Sequence, residues 1–132
     1  MFQGDSGNFV FGGIEHGLAF ELYNKGYDVY MANGRGNSYS RKHKTLDPDS
    51  PDFWHWSFDE IAKYDFPAQI RKVLDISGKS KIWYLGYSEG AMVAQLALSE
   101  DKSGMSDSLY GIIGLGPVLT FNNARGPWKT FG

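Results

Sequence analysis

Apolar positions along the chain change period several times, and each change marks an element. Over residues 15–25, Leu18, Ala19, Leu22 and Tyr23 recur at helical spacing, and Gly26 is the expected stop. Residues 27–32 (Tyr-Asp-Val-Tyr-Met-Ala) are rich in aromatic and branched side chains and read as a strand. Asn33-Gly34-Arg35-Gly36-Asn37 reads as a turn, and residues 38–56 as a long polar and aromatic loop with Pro48, Pro51, Trp54 and Trp56. Ser57 with Glu60 three positions on fits a capping box that opens a short helix. Asp65 is a candidate cap for a second helix, with Pro67 in its first turn, Ile70, Val73 and Leu74 on one face, and an end near Gly78. Residues 81–85 form a strand, residues 89–100 an apolar helix, and residues 110–115 a last strand closed by Gly116-Pro117.

Strands alternating with helices predict an α/β architecture, with a parallel sheet and helices on both faces. Only three strands are legible, so the sheet is expected to be partial. A length of 132 residues suits one domain over 1–132.

Composition narrows the function classes. An apolar fraction of 42% with 16% aromatics is too rich for a disordered chain. With 13 Lys and Arg against 15 Asp and Glu, the net charge of −2 gives no global field to hold nucleic acid or an anionic membrane. The absence of cysteine removes disulfides, thiol nucleophiles and cysteine-ligated zinc. No stretch approaches the roughly 20 apolar residues of a membrane span, and residues 1–10 have neither the basic start nor the apolar run of a signal peptide.

Chemistry concentrates at Gly86-Tyr87-Ser88-Glu89-Gly90, a Gly-x-Ser-x-Gly pattern between an apolar strand and an apolar helix. A serine on a strained strand-to-helix turn projects its hydroxyl beyond the carboxyl end of the strand, toward the positive end of the helix. Such a turn brings the residues two before and two after the serine together, so Gly86 and Gly90 are both expected to be small of necessity. An ordinary βα turn with serine near an N-cap remains open on the residues alone.

Several segments together resemble the acid lipase family of α/β-hydrolases, which includes lysosomal acid lipase and gastric lipase. They are Leu18-Ala19-Phe20, Gly26-Tyr27-Asp28-Val29, Asn33-Gly34-Arg35-Gly36-Asn37, Ser40-Arg41-Lys42-His43, Phe53-Trp54, Ser57-Phe58-Asp59-Glu60, Tyr64-Asp65-Phe66-Pro67-Ala68, the 86–90 elbow, and Leu115-Gly116-Pro117-Val118. Their order and spacing agree from about residue 15 to 120. The resemblance implies the central part of an α/β-hydrolase fold, incomplete at both ends, and hydrolysis of triacylglycerol or steryl esters through an acyl-enzyme. By it, Ser88 is the nucleophile and the backbone N–H of Glu89 is one oxyanion donor. It implies a lipid ester as substrate, contact with a lipid interface, no cofactor, and lysosomal or secreted placement.

Two positions depart from the family, which usually has histidine before the serine and glutamine after it; here they are Tyr87 and Glu89. A carboxylate beside a site that develops negative charge works against the chemistry unless it points away or is neutralised. In α/β-hydrolases the triad order is serine, acid, histidine. His16, His43 and His55 all precede Ser88, and only Asp101 and Asp107 follow it. The resemblance therefore puts the triad acid and base outside this chain, and the second oxyanion loop before its start. His16-Gly17 imitates that loop but lies too close to Gly26-Tyr27-Asp28, and His43 or His55 would serve as base only in a rewired triad.

Other constellations weigh less. Gly34-Arg35-Gly36 fails the dinucleotide fingerprint because Tyr39 stands at its sixth position. Arg41-Lys42-His43-Lys44 reads as a solvated loop face, and the histidines without clustered carboxylates form no recognisable metal site. The tryptophans read as core or loop anchors, with Trp54 and Trp56 the ones placed to touch an acyl chain. The competing expectation is a non-catalytic remnant or interaction module, lacking acid and base and associating through an exposed sheet edge.

Overall fold

The computed structural model describes residues 4–100 and 104–118 of the 132. They belong to two compact units, Met1–Ser57 and Phe58–Gly132.

In the first unit a 3-10 turn (Ser6–Phe9) precedes two short helices, α1 (Gly13–His16) and α2 (Leu18–Asn24). The single helix expected over residues 15–25 is thus interrupted. Gly17 adopts an extended conformation at φ −72° and ψ 126°, and its amide still donates to Gly13 O at 2.8 Å. A side chain at 17 would begin 2.8 Å from that carbonyl oxygen, so the break needs glycine. The expected stop is present: Gly26 has φ +88° and follows the capping residue Lys25.

The strand expected over residues 27–32 does not form; residues 27–34 carry no regular hydrogen-bonded structure. A strand exists only where a neighbour receives its backbone groups. The described residues of this unit contain no second strand to do so. Tyr27, Tyr30 and Met31 are correspondingly exposed.

The unit is held instead by polar and aromatic ties. Asn37, 6% exposed, donates from Nδ2 to Asn33 Oδ1 at 2.8 Å and accepts from the Tyr39 amide at 2.9 Å. The same Asn33 oxygen accepts from the Ser6 amide at 2.9 Å. Trp54 donates from Nε1 to Pro48 O at 3.0 Å, and the Arg41 guanidinium lies over its ring at 5.5 Å. Gly36, at φ +82°, passes so close beneath this cluster that a Cβ would sit 2.8 Å from Trp54 and 2.9 Å from Trp56.

In the second unit α3 (Phe58–Glu60) continues through a π-helical turn (Ile61–Asp65) into α4 (Phe66–Ser77). Asp65, expected to cap a new helix, is helical itself (φ −71°, ψ −49°) and makes no side-chain cap. Proline explains the substitution of one device for another. Pro67 has no N–H for the carbonyl four residues back, and its ring crowds that carbonyl. The backbone widens there, and the Phe66 amide reaches five residues back to Ile61 O. α4 ends at Gly78 in the left-handed conformation, φ +67°.

β1 (Ile82–Tyr87) leads to α5 (Glu89–Glu100) and then to β2 (Leu109–Leu115). β1 and β2 pair in parallel, from Ile82 with Leu109 to Tyr87 with Leu115, with an irregularity between Ile82 and Trp83. This is the β-α-β arrangement the sequence predicts, with two strands rather than three among the described residues. One face of the sheet meets the helices: Phe66 packs edge-on against Tyr84 at 5.0 Å, and a Cβ at Gly114 would lie 3.4 Å from Ala91 Cβ. Phe66, Ile70, Ala91, Val93 and Ala94 are buried in this core. The other face carries exposed apolar side chains among the described residues. Trp83 (59% exposed), Tyr87, Ile113 and Leu115 lie open.

Phe66 is 1% exposed and is the largest fully buried side chain among the described residues. Phe66→Ala is therefore expected to cost about 3–5 kcal/mol, from lost transfer energy and an unfilled cavity. Urea unfolding monitored by circular dichroism checks it.

Candidate active site

The turn from β1 to α5 occupies a single residue, Ser88. Its φ is +49°, the one positive value at a non-glycine position among the described residues. For an L-residue this conformation costs roughly 1–2 kcal/mol, and it persists only where the surroundings leave no alternative. Here three ties impose it. The Ser88 amide donates to Leu115 O, the last residue of β2, at 2.8 Å. The Ser88 carbonyl accepts from Ala91 N at 3.1 Å and from Met92 N at 3.3 Å, which starts α5 at once. Beneath the turn, Gly86 lies against the first turn of α5 so closely that a Cβ would be 2.6 Å from both Ala91 N and Gly90 C.

Gly90 differs from its expectation. A Cβ at that position would meet only Tyr84 Oη, at 3.5 Å, an ordinary contact. The close approach is one-sided: Gly86 brings its own missing side chain to the backbone of α5, whereas the missing Cβ of Gly90 points toward the Tyr84 hydroxyl. Tyr87 is exposed at the end of β1.

Glu89 opens α5. Helical geometry provides no intrahelical acceptor for its N–H, which stands at the positive end of the helix dipole. The Glu89 carboxyl is partly buried, and burial raises its pKa above the ordinary carboxylate range. Tyr84, one turn of the pleat below Gly86, was not singled out by the sequence pattern. Its hydroxyl donates to Gly90 O at 3.1 Å. Burial first, and the nearby Glu89 charge second, push the Tyr84 phenol up to about 12, so it stays protonated and remains a donor. The signal in the sequence is alternation: residues 82, 84 and 86 share one face of β1, and Gly86 is expected to approach Gly90.

The three histidines belong to the first unit, Met1–Ser57. His16 ends α1 and is exposed. His43 Nδ1 accepts from the amides of Thr45 at 3.2 Å and Leu46 at 2.9 Å, and its ring meets Phe53 edge-on. Both bonds require the neutral tautomer with its proton on Nε2. The imidazole is thereby engaged in shaping its own loop. His55 Nδ1 lies 3.7 Å from Asp52 Oδ1, with both side chains exposed. In the basic run, Arg41 pairs with Asp49 at 3.5 Å and donates to Pro48 O at 3.3 Å. Asp107 is exposed in a 3-10 turn (Met105–Ser108), and Asp101 lies outside the described residues. Among the described residues no three metal-ligating side chains gather, and no helix is long and apolar enough to cross a membrane.

Two consequences are measurable. Gly86→Ala is expected to destabilise the chain by at least about 2 kcal/mol, because its Cβ meets backbone rather than a movable side chain. Gly90→Ala is expected to be neutral or to stabilise by about 0.5 kcal/mol; paired urea melts distinguish them. For Glu89, the raised pKa means the folded state favours the neutral acid. Its contribution is fully present below the unfolded carboxylate pKa and is lost as pH rises through the folded value. Glu89→Gln should therefore stabilise the chain relative to the parent near about pH 7, with the difference shrinking toward about pH 4.

The sequence profile of the alpha/beta hydrolase fold matches residues 5–129. The chain is 40% identical over 126 residues to the lipase lipl-1 of Caenorhabditis elegans, covering 96% of this chain and 31% of the relative. It is 39% identical over 131 residues to the lysosomal acid lipase/cholesteryl ester hydrolase of Rattus norvegicus, covering 99% of this chain and 33% of the relative. With human lipase member K it shares 40% identity over 112 residues, 85% of this chain and 28% of the relative. The chain spans about a third of the length of these relatives. Two parallel strands joined through a helix agree with that match, and the chain belongs to the α/β-hydrolase family.

Proposed function

We propose that this chain carries the nucleophile of a carboxylic ester hydrolase of lipid metabolism, with Ser88 as the attacking residue. The observation that carries the reading is the Ser88 backbone at φ +49°, held by Leu115 O and made accessible to α5 by Gly86. In this reading a histidine base takes the Oγ proton as Oγ bonds to the acyl carbon. The carbonyl oxygen gains the negative charge and is received by the Glu89 N–H at the start of α5. As the intermediate collapses, the ester C–O bond breaks and the histidine returns its proton to the departing alcohol. The histidine then takes a proton from the water that attacks the acyl carbon, and returns it to Ser88 Oγ as the fatty acid leaves. No histidine follows Ser88 in this chain. By the order of the family's triad, base and acid belong to other parts of the whole protein.

The partial burial of Glu89 bears on its departure from the family pattern. A carboxyl that burial keeps closer to neutral opposes a developing oxyanion less than a solvated carboxylate would. Triacylglycerols and steryl esters are the substrates suggested by relatives named as lipases and as a cholesteryl ester hydrolase. The same relatives suggest lysosomal or secreted placement. The open apolar face with Trp83, Tyr87, Ile113 and Leu115, and the unpaired edges of the two described strands, support contact with a lipid interface or self-association.

A fluorophosphonate probe tests the nucleophile directly. The expected result is covalent labelling of the whole protein, in which base and acid are present, located at Ser88 by peptide mass and abolished in Ser88→Ala. An unlabelled whole protein would overturn the reading and favour the non-catalytic remnant, whereas an unlabelled chain without its base would not.

A further inference from the structure

We infer that Tyr84 is a positioning residue for this site: its phenol braces the first turn of α5 against β1 and so holds Ser88 and the Glu89 N–H in place. The inference rests on the reading of Ser88 as nucleophile, and it deepens that reading. Tyr84 and Gly90 flank Ser88 at four residues before and two after, so the bond from Tyr84 Oη to Gly90 O, 3.1 Å long, closes a loop around the serine. The other ties on the turn are made by backbone: Ser88 N to Leu115 O, and Ala91 N and Met92 N to Ser88 O. Tyr84 adds a side-chain tie, anchored on its own ring by the edge of Phe66 at 5.0 Å.

The geometry explains why a hydroxyl is needed there. The Gly90 carbonyl belongs to the first turn of α5 and keeps a second lone pair beyond its intrahelical bond. A phenol reaching it from β1 ties strand to helix across the turn whose left-handed residue carries the strain. A Cβ at Gly90 would stand 3.5 Å from Tyr84 Oη, an ordinary contact, so the bond does not itself require the glycine. Because the phenol is held protonated, the brace persists across the pH range in which Glu89 changes charge.

Tyr84→Phe removes the hydroxyl and keeps the ring on Phe66. Amide hydrogen exchange in the full chain reads the brace independently of activity. The expected result is about tenfold faster exchange confined to Ser88, Ala91 and Met92, with β2 and the rest of α5 unchanged. Unchanged exchange at those three amides overturns the proposal, and so does a uniform rise across the unit. Phe66→Leu, which loosens packing without removing the bond, provides the uniform pattern for comparison. In the labelling assay the variant is expected to react about tenfold more slowly at saturating fluorophosphonate, with the half-saturating concentration unchanged. Equal maximal rates in variant and parent overturn it. Were the whole protein unlabelled, the hydrolase reading would fall, while the exchange pattern would still decide whether Tyr84 holds the turn.

Discussion

The approach of β1 to the first turn of α5, at distances that only a missing Cβ permits, is the constraint on which the rest of this unit depends. At Gly86 a Cβ would stand only 2.6 Å from the backbone of Gly90 and Ala91. The chain must therefore reverse direction in one residue, and that residue, Ser88, is driven to positive φ. The strain of a non-glycine in that region is offset by bonds available only in this arrangement: Leu115 O accepts from the serine amide, and the serine carbonyl accepts from the amides of Ala91 and Met92. Parallel pairing of β1 with β2 is what puts Leu115 beside Tyr87 and hence its carbonyl beneath Ser88. Strand register, helix start and serine conformation are one coupled solution.

Electrostatics at the turn follow from the same closeness. The start of α5 offers unpaired N–H groups and a positive dipole end, which suit a developing oxyanion. Glu89 places a carboxyl at that point, and partial burial shifts it toward its neutral form. The buried phenol of Tyr84 lies near it, and the Glu89 charge adds to burial in raising the phenol's pKa. The first unit is organised on different terms. It is tied by Asn33, Asn37 and Ser6, and by Arg41 and Trp54 around the Pro48 carbonyl, with His43 spent on the amides of Thr45 and Leu46.

Where local pattern and structure part, the missing ingredient is a partner or a competing backbone demand. Residues 27–32 have the composition of a strand, but composition cannot supply the neighbouring ladder that makes one. Gly17 interrupts a helix whose side-chain periodicity runs straight through it, because periodicity records faces and not backbone breaks. Asp65 has the right chemistry for a cap. Pro67 two residues later made the helix widen into a π turn instead of ending, and this depends on whether the preceding turn has a reason to stay helical.

By itself the sequence determined the β-α-β order from residue 82 to 115, the α5 limits, and the place of Ser88 at the turn between strand and helix. Those are local properties: apolar runs, a glycine two before a serine, and an apolar helix directly after it. Tertiary structure alone decided which glycine of the pair is sterically required, that Leu115 holds the serine amide, and that Tyr84 reaches Gly90. It also decided that Glu89 is partly buried and that Trp83, Tyr87, Ile113 and Leu115 are exposed. Each of these is a distance between atoms far apart in the chain or on different elements. Such distances are set by packing and register, which no local pattern of residues encodes.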